Sequence, residues 1–290
     1  MRFGLTILPE HRWVQAAPMW RRAEDLGFDH AWTYDHLVWG GLPDSPWYGT
    51  TPTLTAAAIV TSTIRLGTFV TSPNYRHPVT FMRDLLALDD ISGGRLICGI
   101  GSGGDIDNAI LGGQPLTPKQ RANRLYEFTE LLDRLLTTDH VTHDGTYFSA
   151  VDARTLPGPV QRPRIPFVMA ANGPRSLRLA ARYGAGWVTT GPKVETMDEW
   201  WTALAELGGR LDGELVKVGR DSATLDRYLN LDSSPRFSLT SVSLFEEMVG
   251  RAGELGFTDV ITHWPRPDGP YAGDVSVLET VASDVIPQFR

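Results

Sequence analysis

The sequence predicts a single-domain (β/α)8 barrel that spans residues 1–290 and carries insertions in its loops. Short runs of β-branched and other apolar residues alternate with longer stretches of helical periodicity, which is the pattern of a parallel sheet with crossover helices. Eight such strand–helix pairs follow one another, and no linker or low-complexity segment divides the chain. An open doubly wound sheet has the same local pattern, but eight units in 290 residues favour the closed barrel, which typically takes about 250 residues.

Each predicted strand ends in polar or turn-forming residues and is followed by a helical segment. The predicted strands are Arg2–Leu8, His30–Tyr34, Arg65–Val70, Leu96–Ile100, Pro166–Ala170, Gly186–Val188, Leu225–Asn230 and Asp259–Thr262. The predicted helices, in the same order, are Trp13–Leu26, Thr53–Thr61, Val79–Ser92, Gln120–Thr137, Pro174–Tyr183, Met197–Leu211, Leu244–Leu255 and Val277–Gln288. Glycine follows the first of these helices at Gly27 and the third at Gly93, as is common at helix C-termini.

The residues that the eight units do not need fall in three insertions. These are Leu37–Pro52, Val141–Arg164 and the region from Thr189 to Asp221. Within the second, Val141–Phe148 is predicted to be a β-hairpin, because Asp144 and Gly145 form a typical two-residue turn. His140 and His143 lie there, but residues three apart on a strand point to opposite faces, so no metal site is expected.

Charge and composition narrow the class of partner. The formal net charge of −7 disfavours nucleic acid and anionic membranes, which both attract basic surfaces. No apolar run approaches the ~20 residues of a membrane span, the first residues look like a strand rather than a signal peptide, and Cys98 is the single cysteine. We therefore expect a cytoplasmic protein that binds neither nucleic acid nor a membrane. Arginine far outnumbers lysine, which is typical of GC-rich genomes such as those of actinomycetes.

His36 is the candidate catalytic residue. It follows Asp35 at the end of the second predicted strand, and in a barrel the carboxyl ends of the strands hold the site. The insertion after it carries Trp39, Trp47 and Tyr48, which predict an apolar, partly aromatic substrate pocket. The alternative is a hydrogen-bonded structural histidine.

Two further segments offer backbone to a ligand. Residues 99–105 follow a strand and are rich in glycine, but the next helix begins only near Pro118, so the dinucleotide-binding pattern is not met. The bare backbone of these glycines still lets a flat ring or a phosphate approach closely. Residues 170–176 place Pro174 at the first position of a helix, whose N-terminus is open to an anion, with Arg175 beside it. An ordinary strand–helix connection with Asn-Gly turn chemistry is the alternative for this segment.

These segments together resemble the luciferase-like monooxygenase superfamily, and within it the branch of oxidoreductases that use coenzyme F420. The resemblance runs from Met1 to about Gln288. The motifs that carry it are residues 34–37 (YDHL), 64–68 (IRLGT), 73–78 (PNYRHP), 88–95 (LDDISGGR), 99–103 (GIGSG) and 170–174 (AANGP).

The resemblance implies a deazaflavin, coenzyme F420, lying across the carboxyl ends of the strands. The implied cofactor-binding residues are Asp35, Phe69, Val70, Ser72, Gly103, Asp107, Asn108, Ala171, Asn172, Gly173, Pro174, Arg175 and Ser176. The implied substrate-contacting residues are Trp39, Trp47, Tyr48, Tyr75, Thr190 and Lys193. His36 matches the proton-transferring histidine of the branch's sugar-phosphate dehydrogenases, and Thr190 and Lys193 match their phosphate-contacting positions. Gly104 departs from those enzymes, which carry a catalytic glutamate there, and this argues against glucose 6-phosphate as the substrate.

The resemblance also implies features of backbone and assembly. It predicts a cis peptide bond between Phe69 and Val70, behind the middle ring of the cofactor. It predicts a homodimer that packs Thr53–Thr61 and Val79–Ser92. The expected reaction is hydride transfer between the deazaflavin and a C=C, C=N or carbonyl/alcohol group of a small-molecule or peptidic substrate, with no metal ion. The alternatives are an FMN-dependent monooxygenase of the same superfamily with a reductase partner, and a barrel without turnover.

Overall fold

The computed structural model describes all 290 residues and has eight parallel strands closed into a barrel, which confirms the predicted fold. The barrel strands, in chain order, are β1 Arg2–Thr6, β2 His30–Thr33, β3 Arg65–Thr68, β4 Leu96–Ile100, β7 Phe167–Ala170, β8 Gly186–Thr189, β9 Asp226–Asn230 and β10 Asp259–His263. Two more strands, β5 Val141–Asp144 and β6 Ser149–Ala153, form a separate antiparallel pair. Strand β10 pairs in parallel with β1, with Phe3 opposite Val260, and this pairing closes the barrel.

Helices surround the barrel and cover the outward-facing side chains of its strands. They are α1 Trp13–Asp25, α2 Thr50–Val60, α3 Pro78–Ile91, α4 Ile106–Ile110, α5 Pro118–Thr137, α6 Pro174–Tyr183, α7 Met197–Lys217, α8 Val242–Glu254 and α9 Val275–Thr280. A cluster of 60 buried apolar residues fills the layer between strands and helices. None of the helices combines the length and apolar composition needed to cross a membrane.

The structure differs most from the sequence prediction in four segments. Helix α7 continues to Lys217, six residues past the predicted end at Leu211. The second strand of the hairpin begins at Ser149, one residue after the predicted hairpin ends. Residues 106–110, expected to be loop, form the short helix α4. The predicted last helix, Val277–Gln288, is divided into α9, a π-helical turn at residues 281–285 and a 3₁₀ turn at 286–289, where Pro287 lacks the N–H that a continuing helix needs.

The barrel interior is filled at its N-terminal end. Trp32 lies fully buried across it, and a Cβ on Gly67 of the neighbouring strand would come within 2.3 Å of the Trp32 ring, so that position requires glycine. Below it, His30 accepts a hydrogen bond from the Trp32 indole N–H and contacts Asp259 at 3.0 Å, and Asp259 is paired with Arg2. These contacts close one end of the barrel and leave the carboxyl end of the strands for a ligand.

Candidate active site

A cavity of about 1030 Å³ opens at the carboxyl ends of the barrel strands, the end where barrel enzymes carry their active sites. Its walls come from the ends of six strands and from the first turns of α5 and α6. The predicted site residues that line it are His36, Trp39, Phe69, Val70, Gly103, Ala171, Asn172, Gly173, Pro174, Arg175, Ser176 and Thr190. The glycine-rich loop and the start of α6 therefore meet His36 around one space.

The acidic partner of His36 is Asp107, not the adjacent Asp35. The Nδ1 atom of His36 lies 2.8 Å from Oδ2 of Asp107, whose other oxygen accepts the N–H of Leu37 at 2.7 Å. Asp107 is buried on α4, whereas 22% of the His36 side chain is exposed to the cavity. Since an ionised carboxylate only accepts hydrogen bonds, Nδ1 of His36 carries a proton and Nε2 is left toward the cavity, without a protein partner.

Asp35 lies behind the cavity wall in a polar cluster. Its carboxylate accepts hydrogen bonds from the hydroxyls of Thr71 and Tyr75 and pairs with the Arg76 guanidinium, with an N–O distance of 2.7 Å. Burial acts to raise the pKa of Asp35, but the charge of Arg76 and these hydrogen bonds outweigh it and lower that pKa. Burial of the Tyr75 hydroxyl, together with the negative charge of Asp35, raises the pKa of Tyr75. Asp35 and Tyr75 thus anchor the segment after β3 and do not line the cavity.

The cavity floor is built from small residues. Val70, Gly101 and Ala170 contribute it from the ends of β3, β4 and β7. A Cβ on Gly101 would lie 2.7 Å from a Val70 methyl and 3.2 Å from the Ala170 Cβ, so no side chain fits between them. The Phe69–Val70 peptide bond is cis, as the resemblance predicted. This floor can support a planar ring.

The glycine-rich loop rests on buried polar residues. Gly103 has φ +62°, and a Cβ there would lie 2.5 Å from the Asn74 amide, which donates to the Ser102 carbonyl at 3.2 Å. Ser72 is fully buried beneath this turn and does not reach the cavity. Asn108 also lies outside the cavity, where its amide donates to the Gln114 carbonyl at 2.9 Å.

The far end of the cavity is cationic and rich in hydrogen-bond donors. Helix α6 has Pro174 at its first turn and Gly173 at its N-cap, with no side chain capping the free N–H groups. Arg175 of this turn donates to the Asn123 amide oxygen at 2.9 Å, and Lys119 and Arg121 line the same end from α5. An N-terminal helix turn and three cations favour an anionic group such as a phosphate.

Three predicted substrate residues lie outside the cavity besides Tyr75. Trp47 is turned toward the barrel, where its indole N–H donates to the His36 carbonyl at 2.9 Å. Tyr48 is 43% exposed, and Lys193 is exposed on the loop after β8. Trp39 lines the cavity and stacks on Tyr271 with ring centroids 6.0 Å apart.

The site also contains residues that the sequence prediction missed. They are Tyr34, Lys119, Arg121, Asn230, Ser233 and Tyr271. Tyr34 precedes His36 by two positions, so strand alternation was a usable signal for it, and Asn230 is the polar last residue of β9. Tyr271 lies in the loop after β10, where no pattern in the sequence indicated it.

The barrel and its cavity, with a histidine–carboxylate pair over a flat floor and a cationic end, define a site for a planar, anionic ligand. Residues 1–230 match the family model of the luciferase-like monooxygenases, and the chain belongs to that family. It is 31% identical to the F420-dependent glucose-6-phosphate dehydrogenase of Amycolatopsis mediterranei, over 84% of this chain and 78% of that one. It is 30% identical to the F420-dependent hydroxymycolic acid dehydrogenase of Mycobacterium tuberculosis, over 84% and 64%.

A solved structure has the same fold. The coenzyme F420 dependent tetrahydromethanopterin reductase from Methanopyrus kandleri superposes with a TM-score of 0.81 at 21% identity, covering 100% of this chain and 99% of that one.

Proposed function

We propose that the protein is an F420-dependent oxidoreductase that moves a hydride between the deazaflavin and a small, uncharged substrate. The reacting group is a C=C, C=N or carbonyl/alcohol group, and His36 gives or takes the accompanying proton. The observation that carries the proposal is the His36–Asp107 pair, at 2.8 Å, at the edge of a cavity with a flat floor and a cationic end. The relatives named above, which use F420, support the choice of cofactor over FMN.

The residues of the cavity fit the cofactor from ring to phosphate tail. The floor at Val70, Gly101 and Ala170 suits the planar ring, because Gly101, between the other two, has no side chain. The uncapped first turn of α6 and the Arg175 guanidinium suit the phosphate. When bound, the deazaflavin supplies or accepts the hydride, and the protein supplies position and protons.

His36 is suited to proton transfer by its hydrogen bond. Because Nδ1 donates to Asp107, the neutral ring presents Nε2 as a base to a substrate hydroxyl, and the Asp107 carboxylate stabilises the imidazolium that forms. In the opposite direction the protonated ring donates from Nε2. A positioned acid or base of this kind contributes about 10²–10⁴-fold to the rate.

The charges of the cavity support an uncharged substrate. Its three cationic side chains other than histidine, Lys119, Arg121 and Arg175, all lie at the α5 and α6 end, where the cofactor's phosphate would neutralise them. The opposite wall consists of aromatic and neutral polar side chains, and Lys193 is exposed outside the cavity. A sugar phosphate would find no cation there besides His36.

The decisive experiment is a titration of the protein with F420 and, separately, with FMN, followed by turnover. We expect F420 to bind with quenching of its fluorescence, and F420 reduction with a secondary alcohol from a panel that includes glucose 6-phosphate as the charged competitor. Binding of FMN with oxygen consumption, and no binding of F420, would overturn the assignment. Faster turnover of glucose 6-phosphate than of every neutral alcohol would overturn the substrate class alone.

The His36 role has its own test. His36→Ala should keep the F420 dissociation constant and lose about two to four decades in rate, the range for removal of a general acid or base. Wild-type turnover with an unchanged pH profile would make His36 a structural histidine.

We further propose that the protein is a homodimer that packs α2 and α3. The support is apolar exposure: Ile59 on α2 is 72% exposed and Ile91 on α3 is 46% exposed. Sedimentation across micromolar concentrations should give twice the 32.0 kDa chain mass, and the chain mass alone would reject the dimer.

A further inference from the structure

A second histidine–carboxylate pair lies under the aromatic wall of the cavity and is connected to it by two tyrosines. The Tyr271 hydroxyl lies 2.9 Å from that of Tyr34, the Tyr34 hydroxyl lies 2.8 Å from Nε2 of His263, and Nδ1 of His263 lies 2.7 Å from Oδ2 of Asp232. The side chains of His263 and Asp232 are fully buried, whereas Tyr34 and Tyr271 line the cavity. The four groups form one unbroken chain from the cavity to the barrel interior.

The direction of each hydrogen bond follows from Asp232, which is at the inner end of the chain and can only accept. The Asp232 carboxylate also accepts the N–H of His263 and of Ser238, at 2.6 and 2.9 Å, so it acts as an acceptor and Nδ1 of His263 donates to it. In neutral His263 the Nε2 atom must then accept from the Tyr34 hydroxyl. Tyr34 has no second proton, so Tyr271 donates to Tyr34. Each donor of the chain therefore donates to the group that lies nearer Asp232, and the Tyr271 oxygen presents free lone pairs to the cavity.

The position of Tyr271 is strongly determined. Its backbone has φ +63°, the left-handed region that non-glycine residues rarely adopt, and its carbonyl accepts the N–H of Arg266 at 2.9 Å. Arg266 is held by an ion pair with Glu10 at 2.7 Å. The Tyr271 ring stacks on His263 with centroids 3.7 Å apart and planes 9° from parallel. Strained backbone that a buried ion pair supports is typical of a functional position.

We propose that Tyr271, Tyr34, His263 and Asp232 are a second proton-transfer station of the site, which takes or gives the single proton of the reaction in place of His36 when the reacting oxygen of the substrate contacts Tyr271. The inference rests on the proposed function for the nature of the ligand. When a substrate hydroxyl gives its proton to Tyr271, the Tyr271 proton passes to Tyr34 and the Tyr34 proton passes to Nε2 of His263. The chain as a whole takes up one proton from the cavity, and His263 ends with one more proton beside the Asp232 carboxylate. No electron moves along the chain.

The reverse movement turns the station into a donor. With both ring nitrogens of His263 protonated, Nε2 donates to Tyr34, Tyr34 donates to Tyr271, and the Tyr271 hydroxyl points into the cavity toward a carbonyl oxygen. Burial raises the pKa of Tyr34 well above its usual value and raises that of Tyr271 to about 12, so both tyrosines pass protons and remain uncharged near neutral pH. The Tyr34 and His36 rings are 6.3 Å apart, which places the two stations on adjoining walls.

The test is nuclear magnetic resonance on the cofactor-free full chain with ¹⁵N-labelled histidine. We expect neutral His263 to carry its proton on Nδ1 and to show a hydroxyl proton coupled to Nε2 across the hydrogen bond, which Tyr34→Phe removes. A proton on Nε2 with the neutral ring would overturn the proposal, because the chain would then point outward at rest.

Tyr271→Phe separates a relay from a merely structural cluster. A relay predicts that exchange of the Tyr34 hydroxyl proton with solvent slows by about tenfold, the effect of one hydrogen bond, because its route to the cavity is lost. A structural cluster predicts equal or faster exchange, since a missing hydroxyl loosens the packing, and that result would overturn the proposal. Tyr126→Phe, on α5 outside the cavity, is the matched control and should leave exchange unchanged.

A third variant covers the inner end. His263→Asn keeps an amide N–H in the place where Nδ1 donates to Asp232, but it lacks the Nε2 acceptor. The Tyr34 hydroxyl proton should therefore exchange faster with solvent, while thermal unfolding stays cooperative. Unchanged exchange of that proton would count against the relay. F420 titration of the wild type and of the Tyr126→Phe control should give the same dissociation constant. If F420 binds neither of them, the proposed function fails while the exchange result stands by itself.

Discussion

Asp107→Asn tests how the site sets the proton on His36. In the wild type, Oδ1 of Asp107 accepts the Leu37 N–H at 2.7 Å. An asparagine Oδ1 can still accept this N–H, so the local backbone is retained. Its amide nitrogen then faces Nδ1 of His36 in place of Oδ2, which lies 2.8 Å from it. Because an amide N–H donates, Nδ1 must become the acceptor and the proton moves to Nε2. The substitution reverses the tautomer without removing the ring.

The expected loss in rate follows from the hydrogen bond that disappears. A hydrogen bond to a charged group contributes about 1.5–3 kcal/mol, and the imidazolium formed during alcohol oxidation would lose it. At about 1.36 kcal/mol for each tenfold, this hydrogen bond alone accounts for about 10- to 150-fold. Because the reversed tautomer also leaves Nε2 without a lone pair for the substrate proton, hydride transfer to F420 should slow by about two to four decades, the range for loss of a general base. The F420 dissociation constant should not change, since Asp107 lies behind His36 and does not line the cavity.

The assay combines stopped-flow F420 reduction with ¹⁵N spectra of the His36 ring. Asp25→Asn is the matched control, because Asp25 is an exposed carboxylate on α1 that contacts neither His36 nor the cavity. Loss of F420 affinity in proportion to the loss of rate, or an unchanged tautomer with an unchanged rate, would refute the reasoning.

The remaining predictions concern the floor, the aromatic wall and the buried ion pair. Gly101→Ala should weaken F420 binding at least tenfold, about 1.4 kcal/mol, because its Cβ would stand 2.7 Å from a Val70 methyl and 3.2 Å from the Ala170 Cβ, so the floor beneath the ring must shift. Trp39→Ala should raise the substrate KM more than Tyr48→Ala, since only Trp39 lines the cavity. Arg76→Met should cost about 3–5 kcal/mol in urea unfolding at pH 7 by leaving Asp35 buried and unpaired. The pKa of Asp35 is lowered in the folded protein, so its contribution to wild-type stability is present above its unfolded pKa of about 3.9 and is lost as the pH falls through the folded value.

Each of these variants has a control elsewhere in the chain. Gly209→Ala adds a Cβ on α7 with nothing within 4 Å and should leave F420 binding unchanged. Arg210→Met removes an exposed guanidinium and should change stability by less than about 0.5 kcal/mol. Equal F420 affinities of the two glycine variants, or a substrate KM that responds equally to both aromatic variants, would show that the cavity has been assigned to the wrong residues. Equal stabilities of the two arginine variants would show that Arg76 does not stabilise the buried charge of Asp35.

The fold was predictable because its signal is repeated eight times. Strand and helix alternate with the same period along the whole chain, and an error at one boundary does not alter the count of units. The segments that deviate are those where the pattern is weak: the polar loop that forms α4 and the last helix, which is interrupted near Pro287. The predicted start of α6 at Pro174 is the observed one, because the fixed φ of proline suits the first turn of a helix.

The cavity was predictable where it is built from backbone and less so where it is built from side chains. Glycine and proline restrict the backbone locally, so the loop at Gly103 and the turn at Gly173 could be located from their own neighbours. Tyr271 and Lys119 reach the cavity through the packing of distant elements, and nothing close to either residue in the sequence marks it. Lys193 illustrates the reverse case, since the position matched a known pattern but the side chain is exposed outside the cavity.

His36 is paired with Asp107, and not with the adjacent Asp35, for a geometric reason that applies to any strand end. Successive side chains of an extended segment point to opposite faces, so Tyr34 and His36 point to the cavity while Asp35 points to the layer behind it. A carboxylate next to a histidine in the sequence is therefore the one least able to contact its ring. The partner must come from another loop, and α4 brings Asp107 from 71 residues away. Asp35, turned inward, is available to hold Arg76 and the segment that carries the floor, so each carboxylate has the role that the face of its backbone allows.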